Sequence, residues 1–406
     1  MDAARTARGP SIRRRLLRVG GCALLLAVVA LVALFLGRQR VYAVIAGGWS
    51  GAPEDVDGLS PAAATLVRRA FEGLDPSRLV DAHVHLAGLG TDGSGCEVHP
   101  GMMSWSSPRR RARFEVYLHA SGVTDLAHGD RQFVERVVAI ARGFHPPGVS
   151  YEAAARPRFC VFAFDRFHDD EGRPDLDHTE LHVPNEWVWS AWESAPDVLV
   201  PVVSIHPYRE DAVAELERWA ERGVRLVKWL PNAMNIDLAS PRCAPFYAAM
   251  ARHDMTLITH TGREMAVEAE ELQRLGDPSL LLAPLEAGVR VFAAHCASTG
   301  DAAEGGRTAF DAFLELFEQP RWEGRLFGEI STLTQVNRLG RPLEALIDRP
   351  ELHARLVNGS DYPLPAIAVL YSTRWLERGG WIDAAERAAL DEVYDPRQAG
   401  APIAAS

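Results

Sequence analysis

An α/β fold is predicted for this sequence, a parallel barrel of repeated βα units behind an N-terminal transmembrane helix, and three observations carry the prediction. The first is an uncharged run from Val19 to Gly37, long enough as a helix to cross a hydrocarbon core of about 30 Å. The second is a set of eight short apolar runs that alternate with amphipathic stretches from about residue 77 onward, the pattern of βα units around a parallel sheet. The third is spacing. The ends of the last five runs, Lys228, His260, His295, Glu329 and Ser360, recur at intervals of 32, 35, 34 and 31 residues, which is what one strand, one helix and two short loops need.

The N-terminal region is set apart by charge. The formal net charge of −11 splits into +7 over residues 1–40, from eight arginines against Asp2, and −18 over the rest. Six arginines precede the apolar run, and Arg38 and Arg40 follow it. The positive-inside bias then puts the N-terminus in the cytoplasm and the folded domain outside it. A cleaved signal peptide is the competing reading, with Ala43, Ala46 and Gly47 as small residues near a cleavage point. The acidic remainder repels phosphate backbones, which argues against nucleic acid as a partner. The resulting division is a basic head over 1–18, the membrane helix over 19–37, a linker and short helix over 38–76, the barrel over 77–380, and a C-terminal helix and tail over 381–406. Five cysteines, Cys22, Cys96, Cys160, Cys243 and Cys296, form no CxxC pair and give no disulfide framework.

Within the barrel region the strands are expected at 79–86, 158–165, 198–205, 224–230, 255–260, 289–295, 325–331 and 355–360. Stretches such as REDAVAELERWAERG and TAFDAFLELFEQ place apolar residues three and four apart, as surface helices do. The first unit is longer than the others. Its Gly/Ser/His-rich and Arg-rich segments, GLGTDGSGCEVHPGM and SSPRRRARF, read as a loop insertion over the barrel mouth, with an extra helix at 132–142.

The residues that carry chemistry stand at the strand ends, the face on which barrel enzymes build their sites. Asp81, His83 and His85 alternate along the first strand, so period two turns both imidazoles to one side. The fifth strand ends in His260 and the sixth in His295, and Asp361 follows the eighth. One polar residue at the end of a buried strand is commonplace. Several ligand types converging on one face are better explained by a metal site than by packing.

This ordered set resembles the amidohydrolase superfamily, and more narrowly its amidohydrolase-related branch, which includes decarboxylases. The resemblance rests on the HVH of strand one, Lys228 in VKWLPNAMNID, His260 in ITHTGRE, His295 in AAHCAS and Asp361 in NGSDYP, and it spans roughly residues 77–370. It implies a (β/α)8 TIM barrel in which His83, His85, His260 and Asp361 hold a divalent ion, commonly zinc. Lys228 is the sole lysine among 43 lysines and arginines, so its position selects an amine. In binuclear members of the superfamily the corresponding lysine is a carbamate bridging two metals, which guanidinium cannot become. An unmodified lysine in the pocket and a structural ion pair are the other readings. His295 is then a ligand with two metals, or a group that polarises substrate or positions water with one.

The expected activity is metal-assisted hydrolysis of a small-molecule amide, lactone or ester, with Asp361 moving the proton and His295 or Lys228 stabilising the oxyanion. The alternatives are a mononuclear lyase that decarboxylates its substrate, and a catalytically inactive membrane-tethered barrel. Glu264, Glu329, His206, His128 and Arg263 are weaker candidates, and Trp105, Trp187, Trp189 and Trp192 could wall the pocket.

Overall fold

A computed structural model describes residues 12–46, 59–299 and 306–394. The first part of the basic head, the connector over 47–58 and the tail from residue 395 lie outside the described residues, as does the side chain of Cys22.

Eight parallel strands form the barrel: β1 (Val80–His85), β2 (Arg158–Phe162), β3 (Leu199–Val202), β4 (Leu226–Trp229), β5 (Thr256–His260), β6 (Arg290–Ala294), β7 (Leu326–Glu329) and β8 (Leu356–Val357). Each lies inside one of the apolar runs read from the sequence. Continuous ladders join β1 to β3 and β4 to β8. Two seams close the ring. At the first, Val203 N–H donates to Leu226 O at 3.1 Å and Lys228 N–H to Val203 O at 2.8 Å. At the second, Ala82 N–H donates to Asn358 O at 2.9 Å, Asp361 N–H to His83 O at 2.8 Å and His85 N–H to Tyr362 O at 2.9 Å. The strands are apolar along most of their length because both faces are covered, one by the barrel interior and one by helices.

Those helices follow from pattern and capping. The helix Ala309–Phe317 starts at a reciprocal box in which Thr308 Oγ accepts from Asp311 N–H and the Asp311 carboxylate accepts from Thr308 N–H, and it buries Phe310, Phe313, Leu316 and Phe317 against the strands. Beneath the strand ends the barrel interior is filled by Cys160, Phe162, Val202 and Ile258.

Two expectations change. The helix α1 (Ile12–Ala46) runs well past residue 37, because residues 38–46 hold no Gly or Pro and bury Ile45 and Ala46 against Val116, Tyr117, Ala120 and Ile367. No single described helix is long and apolar enough to cross a membrane; the bent pair Leu24–Arg38 and Arg40–Ala46, at 64°, meets the length and composition test together. The Arg-rich segment is not a loop but the start of α3 (Pro108–Ser121), where Arg111 pairs with Glu115 one turn on. The short helix foreseen within 38–76 is α2 (Pro61–Ala70), the one at 132–142 is α4 (Gly129–Arg142), and the C-terminal helix expected after 381 is Ala384–Tyr394.

Candidate metal centre

The first and last strands meet at the mouth. Pairing between β1 and β2 shifts between Asp81 and Val84, so β1 carries one extra residue beside the HxH pair, a bulge of the kind that re-aims side chains. Asp81 ties the seam: its Oδ1 accepts from Ser360 N–H at 2.8 Å and His83 N–H at 3.1 Å, and burial pushes its carboxyl up to about 6. Gly359 sits where any side chain would collide, since a Cβ there falls 2.3 Å from Glu329 Oε1 and 2.8 Å from His83 Cβ. That close approach is what the glycine of NGSD provides. Asp361 itself takes a left-handed φ of 61°, rare for a non-glycine.

The result is a compact donor cluster. His83 Nε2, His85 Nε2 and Asp361 Oδ1 lie 3.2 Å from one another. Ligand atoms bonded at about 2.0–2.1 Å to one tetrahedral ion stand about 3.3 Å apart. His83 Nδ1 is 2.8 Å from Glu329 Oε2, an arrangement that fixes the tautomer and leaves the Nε2 lone pair for an ion. Glu329 is in turn held by the Ser331 hydroxyl at 2.8 Å, and burial raises its carboxyl to about 7.

On the far side, His260 Nδ1 lies 3.5 Å from Glu264 Oε2, while its Nε2 is buried and has no hydrogen-bond partner. A buried ring nitrogen left orphaned is costly unless something absent from the protein chain meets it, and a divalent ion fits. His295 Nδ1 lies 2.8 Å from Ser331 Oγ and 3.2 Å from Thr332 Oγ1, and its ring is 5.0 Å from those of His83 and His260. Lys228 Nζ approaches His83 Nε2 at 3.2 Å. All six residues read from the sequence therefore meet in one place. Burial, then Lys228, holds His83 and His260 well below the ordinary imidazole range; for His295 the causes are burial, then Arg338. Burial also lowers Lys228 to about 8, against the pull of Asp361, Glu329 and Glu264. Neutral imidazoles are the form that binds metal.

The structure decides between the open readings of Glu264 and His206 and adds one residue. Glu264, open between a pocket group and an exposed loop carboxylate, is buried: it accepts from the Ala266 and Val267 amides and faces His260. His206 is spent on structure: Nε2 donates to Met234 O at 2.7 Å and Nδ1 accepts from Tyr208 N–H at 3.2 Å. Arg338, in the loop after β7, was not singled out. It is 8% exposed, donates from Nη1 to Ser298 Oγ at 2.9 Å, and makes no direct ion pair among the described residues, although Asp361, Glu264 and Glu329 act on it through space. Nothing in the sequence separates it from 41 other arginines.

The remaining candidates lie away from the cluster. His128 pairs with Asp92 and Arg263 with Glu270 on the surface. Trp187, Trp189 and Trp192 pack against the core from the helix Asn185–Ser194, whereas Trp105 is exposed beside α3. Cys96, Cys160, Cys243 and Cys296 are free and buried.

A family model described as amidohydrolase matches residues 80–392. No curated protein matches the chain. Solved structures of similar fold include 5-carboxyvanillate decarboxylase from Sphingomonas paucimobilis, 12% identical, covering 79% of this chain and 98% of that one with a TM-score of 0.41. A second is 4-oxalomesaconate hydratase from Rhodopseudomonas palustris, 12% identical over 79% and 96% of the two chains, TM-score 0.40. A third is a mutant organophosphorus hydrolase from Deinococcus radiodurans, 13% identical over 78% and 91%, TM-score 0.35. None of these likenesses is close enough to bear on the reaction. The extent of the family match is decisive: the chain belongs to the amidohydrolase family.

Proposed function

We propose that this amidohydrolase-family chain is a metal-dependent hydrolase of a small amide, lactone or ester. The observation that carries the reading is the convergence of His83 Nε2, His85 Nε2 and Asp361 Oδ1 at 3.2 Å beside the orphaned Nε2 of His260. These four residues would hold a divalent ion, with zinc suited to the nitrogen-rich set, and Lys228 and His295 stand ready for a second. Such an ion, when bound, makes water acidic enough to ionise near neutral pH and polarises a carbonyl.

The chain's own groups do the rest. Asp361 faces the two imidazoles through Oδ1, which leaves Oδ2 to take a proton from water and return it to the leaving group. Lys228, where protonated, and the His295 ring are placed to donate to a developing oxyanion. Glu329 keeps His83 in one tautomer throughout. Burial shifts Lys228 towards its neutral form, which is the form that captures carbon dioxide as a carbamate.

A second reading, decarboxylation of a carboxylated substrate at a single ion, is favoured by one observation. Arg338 is a buried guanidinium with no direct ion pair among the described residues, and the carboxylates of Asp361, Glu264 and Glu329 act on it only through space; a substrate carboxylate would give it a direct partner. We also propose that the uncharged run anchors the chain, with the basic head in the cytoplasm and the barrel outside. The exposure of Leu24, Leu25, Leu26, Leu31 and Leu36 supports it.

The test is a screen of zinc-loaded full-length protein against lactones, amides, esters and aromatic carboxylates, with a chelated sample and His85→Ala as controls. Chelator-sensitive hydrolysis supports the first reading. Carbon dioxide release without hydrolysis favours the second, and activity that persists in His85→Ala and under chelation sinks both.

A further inference from the structure

The anchor and the metal centre are physically linked. The last turn of α1 is buried against α3 and against the segment 364–370 that follows Asp361. α3 in turn reaches the loop beside the cluster: Tyr117 OH donates to Ala266 O at 2.5 Å, and Arg113 pairs with Glu268 at 3.2 Å, both just beyond Glu264. The helix that carries the apolar run thus ends on the rim of the barrel mouth, not on its opposite end.

The contact fixes a depth as well as a position. Phe35, inside the uncharged run, sets its ring 5.6 Å from that of Trp105. Arg38 lies over both rings, at 4.2 and 5.8 Å, and Arg111 lies 5.9 Å over Trp105. Indole and guanidinium groups together are the composition of a membrane–water interface. Around this point the rim exposes large apolar side chains, Met103, Trp105, Met265 and Val369, each between 44% and 59% exposed. They come from the β1–β2 connection and from the loops after β5 and β8, so they share the mouth rather than one sequence segment.

We propose that the mouth of the barrel rests on the lipid surface through Met103, Trp105, Met265 and Val369, so that substrate enters from the bilayer interface. The inference depends on reading residues 19–37 as an anchor, and it adds a substrate class: amphiphiles with an apolar portion held in the membrane and a hydrolysable or carboxylated head. Bilayer is favoured over a second protein copy because the patch is continuous with the apolar helix through the Phe35–Trp105 contact.

The experiment places a photoreactive benzoylphenylalanine at 103, 105, 265 or 369 of the full chain in phosphatidylcholine/phosphatidylglycerol vesicles, with 74 and 347 as references. Leu74 precedes β1 and Ile347 ends the helix before β8, so both mark the opposite end of the barrel, and both are about half exposed. Retained metal verifies folding of each variant. The expected result is lipid adducts several-fold more abundant at the four mouth positions than at 74 and 347. Equal labelling at both ends, or protein–protein adducts at the mouth, overturns the inference while leaving the anchor intact. If alkaline extraction releases the chain from the vesicles, the anchor itself fails and the inference falls with it.

Discussion

The two ends of the same eight strands obey different rules. Within the barrel, Cys160, Phe162, Val202 and Ile258 fill the interior with apolar volume, and the ladders run in regular register except at the bulge in β1. At the carboxyl ends, titratable groups are packed where water does not reach them, and the backbone is strained. His295, Cys296 and Ala297 form three consecutive residues of positive φ, and Thr332 and Asp361 add two more. Each such residue costs on the order of 1–3 kcal/mol and persists only where surrounding structure holds it. The interior layer stabilises the fold, and the mouth spends part of that stability on positioning donors.

The comparison can be broken at either end. The largest effect is expected from Asp361→Asn at the mouth, which should lower kcat by about 10³-fold or more without reducing the thermal midpoint. A concurrent loss of stability would mean that Asp361 is structural. Ile258→Ala should do the reverse, costing about 2–5 kcal/mol in denaturant unfolding while the folded fraction keeps its metal affinity. Glu329→Gln tests the support of His83: metal affinity should fall about 10- to 100-fold, read by competition with a chromogenic chelator, and an unchanged affinity would remove Glu329 from the site.

The smallest net effect concerns acid, because burial lifts the carboxyls of Asp81, Glu264 and Glu329 while it lowers the imidazoles, and the two act in opposite directions. His83, His260 and His295 have folded pKa values below that of an exposed imidazole, about 6.5. Below that value the unfolded chain binds protons that the folded one refuses, so the contribution of these rings to metal-free stability should fall as pH drops from neutral, by up to about 1.4 kcal/mol per pH unit for each group. Imidazole NMR signals of His83, His260 and His295 that titrate with midpoints near about 6.5 in the metal-free folded protein would contradict the burial assigned to them.

Much of the fold was legible because strand ends and polar side chains share a position. An apolar run that stops on His, Lys or Asp announces the element and puts a polar side chain at the mouth, and the convergence of His83, His85, Lys228, His260, His295 and Asp361 was read that way. What escaped depends on three-dimensional placement. Arg338 looks like any other arginine until its burial is seen, and only the partners that close over Glu264 lift it above the other weak candidates. The α3 helix was hidden because its arginines suggest a solvated loop, whereas their acid partners come from Glu115, Glu180 and Glu268. Left-handed backbone at His295 to Ala297 leaves no composition signal, since none of the three is glycine.

The central claim is that His83, His85, His260 and Asp361 hold a divalent ion. Metal content of the purified full-length protein, measured beside the His85→Ala and Lys228→Arg variants and with intact mass at Lys228, tests it most directly. The account predicts one or two ions per wild-type chain and loss of bound metal in His85→Ala, with a carbon dioxide adduct on Lys228 only if two ions are present. Wild-type protein that retains no divalent metal at micromolar concentration would contradict it and leave a tethered, inactive barrel in its place.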